Sequence, residues 1–257
     1  MQLWHGSNAF IGKDPKKILE TILNNDECNR TEIPVKFRNS LKSHDNALTL
    51  FIQVIQKLYE DEDRWRSNIN TTAAVAMANA ALNYHLLARH AIIHGYSSEA
   101  FPLFRASFER MTRCIVFQLN QDMAERFWAG KEIKQGEIRD FISKFFEKKT
   151  EGSYKLAREC ANNLYKHLSE VSHPNIKTLS FRTLNVQDKG RERNTGIDFS
   201  YGGELSDSFA SMGIEIAIVY VVFSLFVLEM LGHEILSTWS AVLERKVADF
   251  FKKHMFF

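Results

Sequence analysis

The 257 residues suffice for one large domain or a domain with extensions, and 45% hydrophobic with 25% charged residues describes a globular chain with a real core. A formal net charge of +2 is too small to imply nucleic-acid binding by itself, so an anion site would have to be a local basic patch. Cys28, Cys114 and Cys160 are odd in number, far apart and without Cys-x-x-Cys spacing. That argues against a disulfide framework or a zinc knuckle and reads as reduced, mostly buried thiols of a cytoplasmic protein.

Only four prolines and twelve glycines interrupt the chain, which favours long helices over many short strands. The N-terminus lacks a basic region followed by an apolar run, so no signal peptide is expected. Residues 1–36 are mixed and polar and read as an arm or cap, with a short helix near 14–24. Residues 37–257 read as a single bundle domain. Leu48, Phe51, Ile52, Ile55, Leu58 and Tyr59 recur at helical spacing and predict a helix over 40–65. Thr71 or Thr72 is placed to cap the next helix, which is rich in alanine (Ala73, Ala74, Ala76, Ala78, Ala80, Ala81) and runs to about His94. Gly95 ends it, and Ser97 or Ser98 starts a helix to about 120 whose seam is Phe101, Phe104, Phe108, Met111 and Ile115.

Shorter helices are expected over 123–129 and 136–148, then a long one over 153–173 with the seam Ala157, Ala161, Leu164, Leu168 and Val171. Residues 179–184 read as a short strand or extended piece and 185–206 as a polar loop. Final helices are expected over 208–234 and 236–254. Within the first of these, 216–228 are 13 uncharged residues between Glu215 and Glu229. That is short of the roughly 20 needed to span a bilayer, so the run reads as a buried bundle helix and no membrane partner is expected. The pattern as a whole predicts an all-α helical bundle.

Three constellations could carry chemistry. Tyr165, Ser169 and His173 follow one another at four-residue intervals, and Pro174 stops the helix. Helical phase turns His173 roughly 160° from the seam of its own helix, toward solvent, another helix or a second subunit. An accessible histidine titrates near pH 6.5 and can act as acid or base; equally, one at a helix end is favoured by the macrodipole alone. Lys166 lies seven residues before His173 and could add positive charge. Arg105 and Glu109 are one turn apart on the flank of the phenylalanine seam. Arg105 can bind phosphate or carboxylate there, or simply pair with Glu109.

The third constellation is Arg89 with His94, an arginine, four residues and a histidine. With 15 arginines and nine histidines, roughly one or two such matches arise by chance, which favours a structural reading. His90 and His94 have metal-ligand spacing, but no third ligand accompanies them, and no metal or cofactor is expected. Walker, Rossmann and nucleophile-elbow signatures are missing from the sequence.

The run Gly95-Tyr96-Ser97-Ser98-Glu99-Ala100 with Arg105 and Glu109, together with Tyr165-x-x-Leu168-Ser169-x-x-x-His173-Pro174, resembles an uncharacterised family of bacterial helical proteins that looks HEPN-like. The resemblance covers about 70–180 and, more loosely, the helix at 208–234; the bundle would be a HEPN-like core with extra N- and C-terminal helices. It implies RNA binding or metal-independent RNA cleavage in a bacterial defence or toxin setting, at a cleft between two copies of a homodimer. His173 would be the acid–base, Ser169 its orienter or a phosphate contact, Arg105 and Lys166 the cations, and Glu109 the holder of Arg105. Tyr165, Arg89 and His94 would be binding residues. Where the pattern has arginine upstream of the histidine, this chain has Lys166. The rival expectation is a non-catalytic interaction module for a protein partner, with the same residues forming a structural polar network.

Overall fold

The computed structural model describes residues 14–60, 66–147, 162, 165, 166, 168, 169, 184–186 and 195–197. The chain is an all-α bundle, as its periodicity predicts. Helix α1 is Pro15–Lys36. Asp14 caps it by accepting a hydrogen bond from the Lys16 amide at 3.0 Å, and Pro15 occupies the first position, where no amide is needed. The segment read as an arm is thus largely a 22-residue helix, longer than the expected 14–24. Its second half is anchored by Asn29 and Ile33, with Phe37 just past its end, all buried at four-residue spacing, a contact that local polarity does not reveal.

Helix α2, Arg38–Glu60, follows after one residue. Leu41, His44, Leu48, Phe51 and Ile55 form its buried face. Ile52 and Tyr59, expected on that face, are exposed instead; Ile52 stands about 100° round the helix from Phe51.

Helix α3 is Ile69–Ile93 and α4 is Ser97–Leu119. The cap of α3 is Asn68 rather than Thr71 or Thr72: its side chain accepts from the amides of Asn70 and Thr71 at 2.9 and 3.3 Å. His94, Gly95 and Tyr96 then turn the chain. Gly95 has φ +83°, its amide donates to Ile92 O, and the Tyr96 amide reaches back to Ala91 O at 2.8 Å. This is a Schellman stop, and an added Cβ at Gly95 would also run into the Asn29 side chain.

The α3–α4 hairpin is the centre of the fold. Ala73, Ala74, Ala78, Ala81 and Ala88 are buried on α3, and small side chains let the helix backbones approach closely. Across them lies the expected α4 seam of Phe101, Phe104, Phe108, Met111 and Ile115, every member buried. Ser107 reaches across to Ala81 O at 2.7 Å, so the hydroxyl is satisfied inside the core.

Helix α5 is Gln121–Trp128 and α6 is Gln135–Glu147. Asn120 ends α4 and caps α5 through the Met123 amide. Gly130, at φ +67°, closes α5 as Gly95 closes α3. Arg126 and Glu137, 2.9 Å apart, tie α5 to α6. Asn162, Tyr165, Lys166, Leu168 and Ser169 are helical, and Leu168 of the expected seam is fully buried. Part of the region read as a loop is a short hairpin: β1 (Leu184–Val186) pairs antiparallel with β2 (Thr195–Ile197), Asn185 opposite Gly196.

Among the described residues no helix is long and apolar enough to cross a membrane. The apolar run at 216–228, the two final helices and Cys160 lie outside the described residues. Of the other thiols, Cys114 is buried as expected, whereas Cys28 is exposed on α1. Burial pushes the Cys114 thiol up to about 12, which leaves it inert.

Candidate functional site

Two polar clusters flank the apolar centre. The first joins α2 to α3 and was not anticipated. His44 and His85 meet in the core at 2% and 0% exposure, with their Nε2 atoms 2.8 Å apart. One ring must donate and the other accept. On the outer side, His44 Nδ1 lies 3.5 Å from the Asp45 carboxylate, too long and poorly aligned for a strong hydrogen bond. Asp45 in turn receives Arg89 bidentately, Nε to Oδ1 at 2.7 Å and an Nη to Oδ2 at 3.0 Å. His44 and then the Arg89 guanidinium hold the Asp45 carboxyl well below the usual aspartate range. Burial first, and then the neighbouring His44 and Arg89, push the His85 imidazole well below its ordinary value, so it stays neutral. The rings stack 5.0 Å apart, and Phe104 of α4 closes the far side of His85.

Arg89 on α3 and His94 at its C-terminal cap, five residues apart, are turned to different neighbours. Arg89 serves α2 through Asp45, whereas His94 Nδ1 pairs with Asp26 of α1 at 3.0 Å. The Asn29 side chain donates to His94 O, so His94 clasps α1 onto the end of α3. The His90 ring lies 4.2 Å from that of His94. Among the described residues no group of three or more His, Cys, Asp or Glu could hold a metal ion.

The second cluster gathers residues singled out in sequence. Arg105 Nε donates to Glu109 at 3.0 Å, the one-turn pair on α4. Its other end reaches Tyr165, sixty residues away, with an Nη to phenol oxygen distance of 3.4 Å. The guanidinium carbon stands 5.6 Å from the centre of the Tyr165 ring, and Phe108 packs against the same ring at 6.2 Å. Arg139 of α6 also stands over it, at 4.9 Å. Arg105 is 23% exposed and Glu109 22%, so solvent reaches both.

Glu109 and Tyr165 favour the charged form of Arg105 against the cost of burial, and the net effect raises its pKa. Arg113, one turn beyond Glu109 on the same stripe, is half-buried, and burial first and Arg110 second push its guanidinium down. Arg110 itself lies over Tyr84, 3.9 Å from the ring centre.

Lys166 is exposed one residue past Tyr165. Ser169, one turn further, keeps its hydroxyl oxygen buried without a hydrogen-bond partner among the described residues. His173 lies outside the described residues. The structure thus brings Arg105, Glu109 and Tyr165 into contact and leaves Arg89 and His94 bonded elsewhere. Arg113 and Arg139 were missed. The four-residue spacing of Arg105, Glu109 and Arg113 was a signal for the first; nothing local marked the second.

Comparison with protein-family models, curated proteins and solved structures finds no match to this chain.

Proposed function

We propose that this protein binds RNA at the Arg105–Tyr165 cluster and cleaves it without a metal ion, as a HEPN-like ribonuclease. The observation that carries the reading is the contact between Arg105 and Tyr165, because it joins the two motifs on which the HEPN-like resemblance rests. The guanidiniums of Arg105 and Arg139 at the Tyr165 ring suit a phosphate backbone. In the reaction, the ribose 2′-oxygen attacks the adjacent phosphorus and the bond from phosphorus to the 5′-oxygen breaks. His173 takes the 2′-hydroxyl proton, the departing 5′-oxygen takes a proton from solvent water, and the products are a 2′,3′-cyclic phosphate and a 5′-hydroxyl. Arg105, held by Glu109, stabilises the charge that develops on the phosphoryl oxygens. Ser169 orients His173 or contacts the phosphate, and Lys166 adds positive charge at the rim. A dimer that places two such clusters side by side fits the resemblance and a defence or toxin role.

Incubation of single-stranded RNA with the protein in excess chelator tests this. The proposal expects cleavage that is lost in His173→Ala while the fold is retained; cleavage unchanged in that variant would remove His173 from the reaction.

A second reading has its own support. Arg105 is already satisfied by Glu109 and Tyr165, as a structural network would have it. On that reading the protein is a non-catalytic interaction module, and neither RNA binding nor cleavage is observed.

A further inference from the structure

We draw no further inference here: the strongest candidate, the buried His44–His85 side-chain cluster between α2 and α3, makes a pH switch only through the titration of His85, and nothing among the described residues shows what such a switch would move.

Discussion

The two polar clusters differ in exposure. Between α2 and α3, Asp45 answers Arg89 one to one, and the histidine rings behind them are sealed in the core. Around Tyr165, Arg105 engages Glu109, Arg139 stands over the ring, and solvent reaches Arg105. A buried, ion-paired set holds helices together. A half-open, arginine-bearing set keeps its charge within reach of solvent and of an anion. On the proposed reading the first cluster is architecture and the second recognition, and substitutions should separate the two.

The largest effect is expected at the sealed pair. His85→Ala removes a buried ring, leaves His44 facing a void and should cost about 2–4 kcal/mol, measured by urea denaturation. A loss under about 0.5 kcal/mol would mean that the pair is not structural.

Acid should act on the same cluster. His85 has its pKa depressed in the folded state, so the unfolded chain takes up a proton that the folded chain refuses. Its contribution to stability is complete above about pH 6.5 and is lost as the pH falls below that value. The melting temperature should therefore drop between pH 7 and pH 5. The drop should shrink when His44 and His85 are both replaced by leucine; an identical drop would assign it to other groups.

Gly95→Ala should cost about 1–2 kcal/mol, since alanine must adopt a positive φ and displace Asn29. The turn belongs to the scaffold, so RNA affinity measured at a temperature where the variant is folded should not change. Arg105→Ala should move stability least, by under about 1 kcal/mol, because a partly exposed one-turn ion pair contributes little.

Much of this was legible in the chain. Ala81 and Phe104 sit in runs whose spacing alone predicts a tight helical hairpin, and Gly95 marks its turn. His44 and His85 could have been found as well. His44 falls in the 3–4 spacing of Leu41, Leu48, Phe51 and Ile55, and His85 in that of Ala78, Ala81, Ala88 and Ile92. Burial was readable from phase, but their pairing depends on how α2 crosses α3, a tertiary fact. The extent of α1 was hidden for a related reason: Asn29, Ile33 and Phe37 gain their burial from other helices. At the candidate site, Arg105 and Glu109 were visible as a helical pair and Tyr165 as part of a stripe. Their contact across sixty residues is a tertiary fact that neither motif's spacing carries, and Arg139 arrives from a helix with no motif of its own.

The measurement that bears most directly on this division compares Arg105→Ala with His44→Ala for both melting temperature and affinity for a single-stranded RNA. The account predicts opposite losses: Arg105→Ala keeps its melting temperature and loses RNA binding by about tenfold or more, whereas His44→Ala melts early and, at a temperature where it is folded, binds normally. If RNA binding survives in Arg105→Ala, or if both properties fall together in both variants, the separation of scaffold from site is wrong.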